Sequence, residues 1–128
     1  MRTKEAVERL REIATGHDLR LVVLYGSRAR GDAHTGSDWD IGYVPSTDVD
    51  HLSLLRDITE ALTTDAVDVT DLSRASGLLR FRAASEGVVV WESTPGAFHD
   101  FAVAAALHWY DVEPTVRQAH DELLAGMS

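Results

Sequence analysis

The chain has 128 residues, with 21 Asp and Glu against 12 Lys and Arg and a formal charge of −9. That length predicts a single domain over residues 1–128 with little spare chain, and 45% apolar with 26% charged residues excludes a largely disordered protein. The acid excess excludes a duplex-DNA surface, which needs clustered Lys and Arg, and the absence of Cys excludes a disulfide scaffold, a thiolate zinc site and a Cys nucleophile.

In chain order, the first predicted element is a helix over residues 4–15, where Val7, Leu10 and Ala14 recur at helical spacing and Gly16 follows as a stop. Residues 21–25 (LVVLY) read as a strand buried on both faces, ending at Gly26, with a short helical turn after it. In residues 38–44 (DWDIGYV) Trp39, Ile41 and Tyr43 point one way and Asp38, Asp40 and Gly42 the other. Residues 50–62 predict a helix with a stripe of His51, Leu55, Ile58 and Leu62, and residues 66–72 (AVDVTDL) a strand with Val67 and Val69 opposite Asp68. A helix over 74–85, stopped by Gly87, precedes a strand over 88–91. A longer helix follows, capped by Thr94 with Pro95 in its first position, and carries Phe98, Phe101, Ala105 and Trp109 on one face. Pro114 ends it, and residues 116–124 predict a last short helix. The expected architecture is an α/β sandwich whose small mixed central sheet has about four strands flanked by helices. No run approaches the roughly 18 apolar residues of a membrane span, and the first 20 residues hold no apolar leader core. The expectation is a soluble, cytoplasmic protein with no membrane partner.

The chemistry concentrates in GSRARGDAHTGSDWD, residues 26–40. Gly26 and Ser27 follow a strand and open a helical turn, so backbone N–H groups and a hydroxyl can approach an anion there. Arg28 and Arg30 are nearby cations. Asp38 and Asp40, two apart on a strand, share a face, and two such like charges call for a cation between them. Oxygen ligands suit Mg²⁺. Asp68, a carboxylate in an apolar strand, completes a three-acid cluster if its strand lies beside that of Asp40. Such a cluster can hold two Mg²⁺ ions and accept a proton from an attacking hydroxyl. Asp71 competes for the third-acid role, but by parity it shares a face with Val67 and Val69. His34 lies within the loop, and the remaining histidines are read as surface or packing residues.

The string Gly-Ser-x10-Asp-x-Asp resembles the signature of the nucleotidyltransferase superfamily that includes DNA polymerase beta. More narrowly, nearly the whole chain resembles the minimal nucleotidyltransferases (MNT), short antitoxins of HEPN ribonuclease toxins. The resemblance implies that Gly26, Ser27 and Arg28 contact the nucleotide and that Asp38, Asp40 and Asp68 are catalytic and bind two Mg²⁺ ions. It also implies ATP as substrate and a HEPN-type toxin as partner, in a hetero-oligomer, with AMP passed to one of its tyrosines. Trp39 departs from the family pattern, which has an aliphatic residue there, but faces away from the acids. A chain this short has room for a catalytic core and little for an acceptor pocket, which independently suits a protein acceptor. Two alternatives remain: neutralisation by stoichiometric binding alone, and transfer to a small molecule of the aminoglycoside type.

Overall fold

The computed structural model describes residues 1–112, so Pro114 and the helix expected over 116–124 lie outside the described residues. Nine elements follow in order: α1 (Thr3–Gly16), β1 (Leu19–Tyr25), α2 (Ser27–Arg30), β2 (Trp39–Pro45), α3 (His51–Leu62), β3 (Val67–Asp71), α4 (Gly77–Glu86), β4 (Val88–Glu92) and α5 (Ala97–Val112). The four strands form one mixed sheet in the order β3-β2-β1-β4. β1 pairs antiparallel with both β2 and β4, while β2 and β3 are parallel. α3 is the crossover that makes the parallel pair possible. None of the described helices is long and apolar enough to cross a membrane.

The alternation along β2 sorts the sheet into two faces. Trp39, Ile41 and Tyr43 enter the main core with Val22 and Leu24 of β1, Val69 of β3, Ala6, Leu10 and Ala14 of α1, and Leu54, Ile58 and Leu62 of α3. The buried row of α3 is thus set by Leu54, one residue before the expected Leu55, which is only half-buried. His51, expected at the head of that row, instead bonds the Tyr43 hydroxyl through Nδ1 at 2.8 Å. Asp50 caps α3 by accepting from the Ser53 N–H. On the opposite face Tyr25, Leu72 and Ala83 form a smaller core with Leu79 of α4 and Phe101 of α5. The two central strands, β1 and β2, therefore bury both faces near their middles, whereas β3 and β4 at the sheet edges each bury one residue, Val69 and Val90.

Two helix starts differ from the sequence expectation. α4 begins at Gly77, after Ser76, whose hydroxyl accepts the Leu79 N–H, because Asp71 and Ser73 form a turn that takes up the first residues of the expected helix. α5 begins at Ala97 rather than Pro95: Gly96 takes a φ of +92°, and the capping carboxylate is Glu92, at the end of β4, which accepts the Phe98 N–H at 2.8 Å. Thr94 has no such role.

Gly87 ends α4 for a steric reason rather than a left-handed one. Its φ is −68°, but an added Cβ would stand 2.2 Å from the Ala83 carbonyl oxygen and 2.5 Å from Val23 Cγ1. The carbonyl belongs to helix backbone and cannot yield cheaply, so Gly87→Ala is expected to destabilise the protein by about 2 kcal/mol. Urea unfolding checks this; an unchanged midpoint would show that the α4–β4 junction is not tightly packed.

Candidate active site

Tyr25, Asp40 and Asp68 form one row across three adjacent strands. Tyr25 pairs with Asp40 across the antiparallel β1–β2 ladder, and Asp40 with Asp68 across the parallel β2–β3 ladder. Registered partners place their side chains on the same face, on strands about 4.8 Å apart. That face is the one α4 covers further along the sheet. Asp40 is half-buried, whereas Asp38, just before β2, and Asp68 are exposed. Burial first, and then the neighbouring Asp68 carboxylate, hold the Asp40 carboxyl above the usual range; Asp38 and Glu86 push the same way and Arg82 opposes them.

Among the described residues, no three His, Asp or Glu side chains are gathered closely enough to hold a cation by themselves. The expected three-acid cluster is therefore open, with Asp40 and Asp68 side by side and Asp38 turned to solvent, the arrangement that repulsion between like charges favours. This donor set still fits Mg²⁺. That ion keeps several waters and takes one or two carboxylates together with substrate phosphates, not an all-protein cage. Asp71 is excluded from the site: it pairs with Tyr43 on the other face and accepts the Ser73 N–H at 2.9 Å.

Gly26 is built against the acid. Its φ is +74°, and an added Cβ would lie 2.2 Å from Asp40 Oδ2. The backbone thus touches the carboxylate at the point where β1 turns into α2, which only glycine allows in this conformation. Gly26 also accepts the Arg30 N–H at 3.0 Å, closing the single turn of α2. Ser27 opens that turn and is half-buried.

Arg28, the expected phosphate contact, is held within the protein. Its Nε and Nη2 donate to the Ser37 carbonyl at 3.3 and 3.0 Å, and its guanidinium lies 4.3 Å from the centre of the Trp39 ring. It clamps the 31–38 loop that delivers Asp38. This pairing gives Trp39 a use: 2% exposed, it offers the guanidinium a flat face. Lysine can meet a phosphate but cannot reproduce this bidentate, stacked fit. Arg28→Lys and Arg28→Ala are therefore expected to destabilise the protein alike, by about 1 kcal/mol, and to speed amide exchange in residues 31–38. If Lys behaves as wild type in hydrogen-exchange mass spectrometry, charge rather than shape is what matters at this position.

Three residues at the site escaped sequence reasoning. Tyr25, read as plain core, buries its hydroxyl beside the acid row; burial pushes its pKa up, Thr70 next to the hydroxyl opposes the rise, and Asp68 and Asp40 add to it. Glu86 accepts the Gly26 N–H at 3.2 Å, and Arg82 stands within 3.7 Å of Glu86. No local pattern marks them, since the last turn of α4 meets Gly26 only through the fold. A cavity of about 500 Å³ between the sheet and α5, lined by Arg20, Val44, Arg80, Asp100 and Phe101, is not lined by Asp38, Asp40 or Asp68.

The chain is similar to known proteins. A 26% identical stretch of 95 residues aligns with the protein adenylyltransferase MntA of Aphanizomenon flos-aquae, covering 65% of this chain and 63% of that protein. MntA of Shewanella oneidensis is 33% identical over 76 residues, 57% of this chain and 54% of that protein. The chain thus spans less than two thirds of either relative. Over 97% of its length it superposes, with a TM-score of 0.73 and 25% identity, on 99% of a chain in a crystal structure of a toxin–antitoxin with AMP-PNP. A complex of tri-AMPylated Shewanella oneidensis HEPN toxin with MNT antitoxin shares the fold, with a TM-score of 0.72 at 21% identity, covering 95% of this chain and 98% of that one. Residues 8–95, which include β1, the Gly26 turn, Asp38, Asp40 and Asp68, match the family described as Polymerase beta, Nucleotidyltransferase, and the chain belongs to that family.

Proposed function

We propose that this chain is a cytoplasmic MNT antitoxin, a protein adenylyltransferase that passes AMP from ATP to a tyrosine hydroxyl of a HEPN ribonuclease toxin and so silences it. The observation that carries the reading is the placement of Asp40 beside Asp68 on parallel strands with Gly26 against Asp40. Relatives named adenylyltransferases and a fold shared with antitoxins in toxin complexes support it. The exposure of Asp38 and Asp68 suits an acceptor delivered by another protein.

In this reading the tyrosine oxygen attacks the α-phosphorus of ATP, the bond to the bridging oxygen of the β-phosphate breaks, and pyrophosphate leaves in line. Asp68, exposed beside Asp40, takes the tyrosine proton. The Gly26–Ser27 turn orients the triphosphate through its N–H groups and hydroxyl. Asp38, Asp40 and Asp68 would hold Mg²⁺, which when bound neutralises charge developing on the phosphate oxygens. Phosphoryl transfer asks little else of a protein than alignment and charge.

Incubation with a HEPN partner, Mg²⁺ and each NTP in turn, followed by intact-mass measurement, tests the reading. The expected result is a gain of one or more AMP units on the partner with ATP alone. No mass gain on the partner with any NTP would overturn it, and neutralisation that survived loss of Asp38 and Asp40 would favour stoichiometric binding.

A further inference from the structure

One carboxylate oxygen, Glu86 Oε2, meets three donors at the mouth of the Gly26 turn, of which Arg30 also pairs with the exposed Asp32 at 3.3 Å. The Glu86 oxygen accepts the Gly26 N–H at 3.2 Å, pairs with Arg30 Nη1 at 3.2 Å, and lies 3.7 Å from Arg82 Nη2. A backbone N–H beside two guanidinium groups is an anion position. Glu86 fills it with the protein's own anion. The side chain is well covered at 25% exposure, while both arginines stay more open, at 43% and 45%. Its charge also adds to the repulsion at Asp40, so nothing about the acid row explains placing a further carboxylate there.

We propose that Glu86 is a built-in occupant of the phosphate position, which the triphosphate must displace, and that Arg30 and Arg82 pass from Glu86 to the phosphate oxygens when it does. This rests on the nucleotidyltransferase reading and adds to it a device that weakens nucleotide binding. Glu86 competes directly, as a tethered carboxylate, for the same three donors. A carboxylate of this kind favours release of pyrophosphate after transfer as much as it opposes entry of ATP. It also assigns a use to Arg30 and Arg82, whereas Arg28 is held by Ser37 and Trp39.

The test is AMP-PNP binding to the full chain by calorimetry, with and without Mg²⁺, for wild type, Glu86→Gln, Arg30→Gln and Arg82→Gln, each with its melting temperature. Gln keeps an acceptor for the Gly26 N–H and removes the charge. Glu86→Gln is expected to bind AMP-PNP about two- to fivefold more tightly, the range of a partly exposed ion pair, with the gain shrinking as salt rises. Arg30→Gln and Arg82→Gln are expected to weaken binding, and the gain from Glu86→Gln to shrink in the Arg82→Gln background. A merely structural Glu86 would give the opposite sign, with weaker binding and a lower melting temperature. Glu86→Asp, which withdraws the carboxylate by one methylene, is the second variant should Gln disturb the fold, and a smaller tightening is expected. Unchanged or weaker binding in the Glu86 variants, with wild type still binding, overturns this inference alone. Wild-type protein that binds no nucleotide overturns the functional reading and this inference with it.

Discussion

Replacing Asp40 by asparagine is expected to abolish nucleotidyl transfer while making the metal-free protein more stable. Asp40 is the central acid of the row: Asp68 stands beside it in register, Gly26 lies against its carboxylate, and both Asp38 and Glu86 add negative charge around it. Removing that charge takes away the carboxylate about which Mg²⁺ and the triphosphate are arranged. Metal-centred charge stabilisation supplies several kcal/mol in such sites, so transfer to the partner is expected to fall by about a thousandfold or more. Folding responds in the other direction. Half-buried among like charges, the ionised carboxyl costs stability, and a neutral amide of the same shape relieves it. After allowance for solvent screening the gain is about 0.5–1 kcal/mol, or about 2–4 °C in melting temperature. Mg²⁺ with AMP-PNP is expected to raise the melting temperature of wild type and leave Asp40→Asn unmoved. A variant that keeps transfer within tenfold of wild type would remove Asp40 from the chemistry, and one that melts earlier would show that its carboxylate is satisfied rather than strained.

Gly26→Ala is expected to damage both stability and transfer. The left-handed φ of +74° is unfavourable for alanine, and the new methyl group would stand 2.2 Å from Asp40 Oδ2. Relief requires the β1–α2 turn to open or Asp40 to leave its place beside Asp68. Strain and clash together are expected to cost about 2–3 kcal/mol of stability, and displacement of the acid about a hundredfold in transfer. Chemical denaturation and the intact-mass assay read the two losses separately. The contrast with Asp40→Asn is informative, because one variant loses activity with a stability gain and the other loses both. Gly26→Ala with wild-type transfer would mean that the turn adapts freely and that Asp40 does not depend on it.

Several features of this site follow from short stretches of chain alone. The two-residue repeat of a strand puts Asp40 opposite Trp39 and Ile41, and Asp68 opposite Val67 and Val69, whatever the rest of the fold does. The same parity removes Asp71, and the structure places it accordingly, on the Tyr43 side. Gly26 after a Val-rich strand marks a turn that side chains would obstruct, and the contact with Asp40 gives the reason. Helix starts were less legible. Thr94-Pro95 has the form of a start, yet Gly96 turns the chain with a positive φ and Glu92, at the end of β4, caps a helix beginning at Ala97 by accepting the Phe98 N–H.

What the sequence by itself determined is the set of chemical groups, namely the acids Asp38, Asp40 and Asp68 and the Gly26–Ser27 turn, the sheet face of Asp40 and of Asp68, and a single sheet with helices around it. These depend on repeats of two and 3.6 residues, which are local. Only the tertiary structure decided the strand order β3-β2-β1-β4, the parallel register that sets Asp68 beside Asp40, and the packing of Arg28 on Trp39. It alone brought Glu86 and Arg82, some 60 positions along the chain, onto the Gly26 turn. Register and long-range contacts are set by which surfaces bury together, and no short window of sequence contains both partners.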